Sequence, residues 1–363
     1  VTTALVIVDG LADEPGPDGS TPLQAAHTPV LDRLAGQGTV GRWQPTPSGY
    51  LPGSEVGLLS CLGMTPPKVG RAGFEALGRR IPLQSDDVAY RVSPVRLSGS
   101  VERLDSVFLD VAPKAPAHDV LLALATWLRG QGNIRLFPSR SGRHIMVVPG
   151  GSVVTTAGPH QLSGLPLEAG GRLPDGVPWA AIQERLGGMA LWPWGGAGKL
   201  PPMAKRDGVL IAAVPLVKGI GHWLGYTVPN VPGVTGDVDT DLAAKATAAI
   251  SAIKAGERVV VHVEGPDMAA HRRDPAAKQT AISAIDRELI SPLADAVDRL
   301  NGRLMVTCDH GTSSLSGRHL DDPVPYLLHG VAMDEHDFSE TGDAPVLDAA
   351  AWQRLLVEAP VGC

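Results

Sequence analysis

The chain has 363 residues, with 44% hydrophobic and 19% charged residues, a globular composition long enough for one large or two moderate domains. Its formal net charge of −7 repels a phosphate backbone and argues against nucleic acid as a partner. Three cysteines, Cys61, Cys308 and Cys363, are too few and too odd for a disulfide framework, and the first apolar run lacks the length of a membrane span and the flanks of a leader; a cytoplasmic protein without membrane attachment is expected.

Ala4 to Val8 is a short β-branched run that stops at Asp9-Gly10, the pattern of a buried parallel strand ending in a loop. Thr28-Pro29 opens a helix that runs to Gly36. Pro52-Gly53-Ser54 opens another, over Glu55 to Leu62, with Ser54 at its N-terminus. From about 90 to 190 short alternating segments (Ile145 to Val148, Ser152 to Val154) lie between Gly/Pro turns, which predicts a smaller α+β domain at 91–190, inserted into a domain made of 1–90 and 191–363.

Arg258 to Val263 is a second strand-like run, followed by Gly265-Pro266-Asp267. Ile282, Ile285, Leu289, Leu293, Val297 and Leu300 keep helical spacing through 276–300. Arg303 to Thr307 is a third run, ending in Cys308-Asp309-His310-Gly311, and Pro325 to Leu328 a fourth, ending at Gly330. This alternation implies an α/β fold, a mostly parallel sheet flanked by helices.

Three predicted strands thus lead to an aspartate: Asp9, Asp267 and Asp309. Ligands of open parallel sheets bind beyond the carboxyl ends of the strands. Asp267 and His271 are one helical turn apart and share a face; Asp309 and His310 are adjacent on a loop; His319 follows on a Gly/Ser-rich stretch. A lone histidine is more often structural, and an aspartate after a strand often just forms a turn. The combination points to divalent metal, with oxygen plus imidazole donors suiting Mn²⁺ or Zn²⁺ better than Mg²⁺ or Ca²⁺. Seven donors, counting Ser54, are too many for one ion and fit two. Ser54 itself has two readings: a helix cap, or a hydroxyl activated beside a metal as a nucleophile.

The stretches LVIVDGLADEP, TPLQAAHTPVLDRLAGQG, LPGSEVGLLSCLGMTP, GRAGFEALG, EGPDMAAHRRD and VTCDHGTSSLSGRHLDDPVPYLLHG resemble the shorter, archaeal and bacterial form of cofactor-independent phosphoglycerate mutase, in the alkaline phosphatase superfamily. ALWPWGGAGKLPP and VPLVKGIGHWLGYTVPNVPGVTGDVDTD extend the likeness nearly end to end. It implies an alkaline-phosphatase-like core, two divalent ions (commonly Mn²⁺) and a phosphoserine. It assigns Asp9, Ser54, Asp309 and His310 to one metal site and Asp267, His271 and His319 to the other. Arg71 matches a substrate-side arginine, whose guanidinium fork suits phosphate or carboxylate, and Lys218 and His160 face the substrate on the same grounds. The inserted domain would cover the substrate.

The departures lie on the substrate side. Ser93-Pro94 follows Arg91-Val92 where the family has an asparagine and a cysteine-like residue. An arginine-rich stretch is replaced by LSGSVERLDS, an Asp-Pro-His motif by Gly158-Pro159-His160, and the Asp-Gly after His271 by Arg272-Arg273. Two readings therefore stand beside each other: a mutase acting on a small phosphorylated hydroxy acid, and a relative passing a phosphoryl or phosphonyl group from a nucleotide-activated donor to a phosphoglycerate-like acceptor, as in phosphonate biosynthesis. A phosphatase or phosphodiesterase ranks behind them, and a metal-free scaffold has no chemical need for this donor set. The sequence carries no signal of oligomeric state.

Overall fold

The computed structural model describes residues 3–98, 103–106, 118–159, 162, 165–330, 338 and 346–358. The chain forms two compact units, Val1–Pro67 with Ala204–Cys363, and Lys68–Met203. Among the described residues no helix is long and apolar enough to cross a membrane.

The first unit is built on a sheet of seven strands. They are β1 (Thr3–Val8), β2 (Thr39–Trp43), β8 (Val209–Ile211), β9 (Val259–Val263), β10 (Arg303–Thr307), β13 (Val324–His329) and β14 (Val346–Leu347), in the order β14-β2-β13-β10-β1-β9-β8. β1 is buried along its whole length and pairs in parallel with β9 on one side and β10 on the other. That explains its unbroken apolar run, since a central parallel strand is covered on both faces. Helices connect the parallel strands: Leu242–Lys254 precedes β9, and a helical stretch from Pro275 to Asp298 precedes β10. Asp274 starts that stretch, its carboxylate accepting from Ala277 N–H with Pro275 in the first turn.

The fourth apolar run differs from the simple alternation. β13 is antiparallel to β10. Between them lies no helix, only the short pair β11 (Gly311–Thr312) and β12 (His319–Leu320), so the chain turns back instead of crossing over. The far side of this sheet is fixed by aromatic packing. Trp43 stacks on Trp352 with centroids 4.0 Å apart. Trp43 Nε1 donates to Thr307 Oγ1 (2.8 Å) and Trp352 Nε1 to the Cys61 carbonyl (3.2 Å), so each buried indole N–H has its acceptor.

The second unit contains β3 (Val88–Ser98), β4 (Arg103–Ser106), β5 (Arg135–Phe137), β6 (His144–Val148) and β7 (Ala190–Ala197), all paired antiparallel. The sequence-based boundaries at 90/91 and 190/191 cut through this sheet: β3 spans the first and β7 begins at the second, and their mutual pairing keeps them in one unit with the helix Arg71–Gly78. The helix His118–Arg129 buries Leu121, Leu124 and Leu128 with Val92 and Met146. Ser152 to Val154 is not a strand. Two of its backbone groups are held by one side chain, Tyr90, whose hydroxyl donates to Ser152 O and accepts from Val154 N–H, both at 3.1 Å.

His144, in β6, accepts from Ser139 N–H through Nδ1 (2.9 Å), and burial together with Arg91 and Arg79 pushes its pKa down to about 4. The unfolded chain takes up this proton near the ordinary histidine value while the folded chain refuses it. Stability is therefore full above about pH 6.5 and falls as pH drops towards 4, by at most about 3 kcal/mol. Urea titrations at pH 7 and pH 4.5 should show this acid-side loss, and His144→Gln should flatten it; an equal loss in both proteins removes His144 as the cause.

Candidate metal centre

β1, β9 and β10 end level with one another: Ile7 lies opposite both His262 and Thr307. The loops beyond them are drawn still closer. Asp9 N–H donates to Val263 O (2.8 Å) and Asp267 N–H to Asp9 O (3.1 Å). Gly10, at φ +65°, runs so near Asp267 that a Cβ there would stand 2.6 Å from Asp267 Cα. Gly57 meets the Asp309 carbonyl, 2.0 Å from where its Cβ would be. At both positions only glycine permits the approach.

The helix Gly265–His271 sets Asp267 and His271 on one face, as their spacing predicts, with His271 Nε2 3.2 Å from Asp267 Oδ2. Ser54 departs from the capping reading. The helix Ser54–Cys61 has Gly53 as its cap and no side-chain cap bond, and Ser54 is its first residue. Its Oγ instead lies 3.4 Å from Asp9 Oδ2 and 3.3 Å from His310 Nε2. His310 Nε2 is also 3.3 Å from Asp9 Oδ1 and 3.9 Å from Asp309 Oδ2. His319, on β12, stacks against His310 at 4.0 Å and brings Nε2 within 3.8 Å of Asp267 Oδ1. All seven expected donors thus meet at one end of the sheet.

Each of the three histidines has its Nδ1 against a carbonyl: Gly311 O for His310 (3.2 Å), Gly317 O for His271 (2.8 Å) and Pro52 O for His319 (3.1 Å). A carbonyl only accepts, so each Nδ1 carries the proton and each Nε2 turns a lone pair inward. His271 and His319 bring these nitrogens 3.2 Å apart, a separation that a positive centre satisfies, either a proton on His271, whose pKa Asp267 raises against the penalty of burial, or a metal ion in its place. Asp9 Oδ1 and Asp309 Oδ2 are buried with no hydrogen-bond donor. Lone pairs and unsatisfied carboxylate oxygens in one buried place fit divalent cations. Ligand atoms of Asp9, Asp309 and His310, and of Asp267, His310 and His319, lie within 4.8 Å of one another in each group.

The electrostatics agree. Burial, then the charges of Asp309 and Asp267, push Asp9 well above the usual carboxylate range, and burial with Asp267 pushes Asp309 up to about 7. Burial alone drives Asp267 upward too, but the charge and hydrogen bond of His271, itself raised by Asp267, hold it well below its ordinary value. Burial lowers His310, and lowers His319 to about 3, keeping both imidazoles neutral and able to ligate.

Sequence reasoning did not single out the supports of this site. Lys278 is fully buried and its Nζ donates to Ala12 O (3.1 Å), Asp13 Oδ2 (2.8 Å) and Thr312 O (2.8 Å). Asp13 also accepts from the Ser314 amide and hydroxyl, so one ion pair bolts the loop after β1 to the loop after β10. Lys245 Nζ reaches the His262 carbonyl (2.6 Å), and His262 Nε2 lies 3.5 Å behind Asp9 Oδ2, with Glu264 close by. A signal did exist: Lys278 and Lys245 stand on the apolar stripes of their helices, with Ile282 and Ile285, and Ala249 and Ile253.

The residues expected on the substrate side fall in both units. Lys218 is half-buried on the helix Pro215–Leu224, and burial lowers its pKa. Arg71 belongs to the second unit, where its Nε binds buried Glu75 (2.9 Å) and its guanidinium lies 5.0 Å from the Trp194 ring. Arg91 binds the same carboxylate (3.0 Å) and faces the same ring at 5.5 Å. His160 lies outside the described residues. Arg272 is engaged by Asp237 through two bonds of 2.8 and 2.6 Å.

The metalloenzyme superfamily profile matches residues 1–353. A probable 2,3-bisphosphoglycerate-independent phosphoglycerate mutase of Geobacter sulfurreducens is 33% identical over 361 residues, 89% of each chain. The 2,3-bisphosphoglycerate-independent phosphoglycerate mutase of Methanosarcina acetivorans is also 33% identical, over 90% of each. The chain belongs to the cofactor-independent phosphoglycerate mutase family. Its fold agrees with that family of metal-dependent enzymes. A solved protein of Pyrococcus horikoshii matches with a TM-score of 0.70 at 25% identity, covering 99% of this chain and 96% of the other. The cofactor-independent phosphoglycerate mutase of Thermoplasma acidophilum matches with a TM-score of 0.58 at 21% identity, covering 99% of each.

Lys278→Met should strand the Asp13 carboxylate and cost about 3–5 kcal/mol in chemical denaturation, the usual penalty for removing one partner of a buried pair. A loss under about 1 kcal/mol, within the range of exposed pairs, would show that the two loops do not depend on it.

Proposed function

We propose that this chain is a two-metal phosphotransferase of phosphoglycerate mutase type, working through a covalent phosphoserine at Ser54 on a small phosphorylated hydroxy acid. The observation that carries this reading is the position of Ser54 Oγ, 3.4 Å from Asp9 Oδ2 and 3.3 Å from His310 Nε2, with a second donor set alongside. Asp9, Ser54, Asp309 and His310 would hold one divalent ion, and Asp267, His271 and His319 the other; the mixed oxygen and imidazole donors suit Mn²⁺, with Zn²⁺ or Mg²⁺ as alternatives. Bound there, such ions supply Lewis-acid charge that makes a hydroxyl nucleophilic at neutral pH and offsets the charge of phosphoryl oxygens.

The rest is work for the chain's own residues. Ser54 Oγ gives up its proton and attacks phosphorus, and the phosphorus–oxygen bond to the substrate breaks as the new one forms. The freed hydroxy acid takes the proton; its other hydroxyl then attacks the phosphoserine, the bond from phosphorus to Ser54 Oγ breaks, and the proton released by that hydroxyl returns to Ser54. As the first residue of its helix, Ser54 lies at the positive end of the helix dipole, which favours a phosphoryl group there. Arg71, Lys218 and His160 are the residues proposed to engage the carboxylate or phosphate of the substrate. The names of the curated relatives support the mutase outcome over transfer from a nucleotide-activated donor.

Conversion of 3-phosphoglycerate to 2-phosphoglycerate, followed by a coupled assay with added Mn²⁺, tests the reading. The wild type should turn over and Ser54→Ala should not, while the variant keeps metal at Asp267, His271 and His319. No turnover by folded, metal-loaded wild type would sink the mutase assignment and move the search to nucleotide-activated phosphonates and phosphate esters. His319→Ala should lose metal as well as rate; unchanged metal content would remove His319 from the ligand set.

A further inference from the structure

We infer that Thr312 is a positioning residue that ties the two metal-ligand sets together through one hydroxyl group; the inference rests on the metal reading above. Thr312 is completely buried on β11. Its backbone is held on three sides. Its N–H donates to Ala12 O (3.0 Å), its carbonyl accepts from Lys278 Nζ (2.8 Å), and its register partner on β12 is His319.

The side chain has little freedom in that frame, and it reaches two further ligands. Oγ1 lies 2.7 Å from Asp267 Oδ1 and 3.3 Å from His310 Nδ1. A hydroxyl has one proton to give. The carboxylate only accepts and makes the shorter contact, so the O–H points at Asp267. A lone pair of Oγ1 is left facing His310, whose Nδ1 must then be the donor. The hydrogen bonds run in one direction, from His310 Nδ1–H to Oγ1 and from Oγ1–H to Asp267. Together with Gly311 O, the other acceptor facing that N–H (3.2 Å), this holds the His310 tautomer that turns the Nε2 lone pair towards Ser54 and Asp9, and the same hydroxyl orients the Asp267 carboxylate shared with His271 and His319. Thr312 therefore touches a member of each set by its side chain and pairs with a third ligand by its backbone. Partners of this kind, which orient ligands without touching the ion, set ligand basicity and direction.

A merely space-filling threonine predicts something different, and Thr312→Val separates the two cases because valine keeps the β-branched shape and removes only the hydroxyl. Mn²⁺ binding is measured by titration calorimetry on metal-free wild type, Thr312→Val and Thr312→Ser, with the melting temperature of each metal-free protein alongside. The valine variant should bind Mn²⁺ about 10–100-fold more weakly at both sites, and the serine variant within about threefold of wild type, with similar melting temperatures. Wild-type affinity in the valine variant overturns the inference, as does an equal loss in valine and serine variants. A wild type that takes up no Mn²⁺ removes the metal reading itself and this inference with it, a failure distinguishable from the first two. Should the valine variant not fold, Thr312→Cys, a weak donor close in size to serine, replaces it: weaker binding than Thr312→Ser supports the role, and equal binding overturns it. Imidazole ¹⁵N shifts of the metal-free wild type give an independent check, since His310 must be protonated on Nδ1; protonation on Nε2 contradicts the hydrogen-bond direction.

Discussion

Everything at the carboxyl end of the central sheet is arranged around one electrostatic conflict. Asp9, Asp267 and Asp309 are buried within a few residues of three neighbouring strand ends, and burial penalises the charge of each. Like charges in a low-dielectric place need either protons or cations, and three imidazoles with inward lone pairs make cations the better answer. The conflict is sustained by close backbone contact. Gly10 against Asp267 and Gly57 against Asp309 let the loops approach this closely, where any side chain would push them apart. The hydrogen bonds of the parallel strands, not the site, supply the rigidity.

Five of the donors, Asp9, Asp267, His271, Asp309 and His310, were legible because each follows an apolar strand run or sits one turn from a residue that does, while Ser54 was marked by a helix start and Ser54 and His319 by the family motifs. Asp267 and His271 needed only a helical turn, and Asp309 and His310 only a loop. What holds them was harder to see. Lys278, Asp13 and Thr312 are separated by long stretches of chain, and their bonds to Ala12 O and Thr312 O depend on how two loops meet in space. A lysine on an apolar stripe is a visible anomaly, but its partner is not. The reversal of β13 was hidden for a related reason, since a strand-like run says nothing about direction unless the connection before it is also read.

The second unit illustrates a different limit. Its boundaries were placed by composition, while the structure draws them by pairing, with β3 and β7 hydrogen-bonded along most of their length. Around Glu75 the unit gathers Arg71 and Arg91 against one buried carboxylate and one indole face. The carboxylate sits below its ordinary pKa despite burial, because the Arg91 and Arg71 charges outweigh the loss of solvent. Arg71, picked out from its motif alone, is thus held in place by a residue four positions along its own helix.

The buried Lys278 has a consequence for how the protein matures. It is a cation that the chain carries with it, and it clasps main-chain carbonyls of the two loops on which Asp9 and Thr312 are mounted. Small metallodomains collapse only when an ion arrives to gather their ligands. Here an ammonium group and a sheet join the same two loops, so part of that gathering is built into the chain. An ion bound at the aspartates adds its binding free energy to a frame whose loops already have Lys278 as a link.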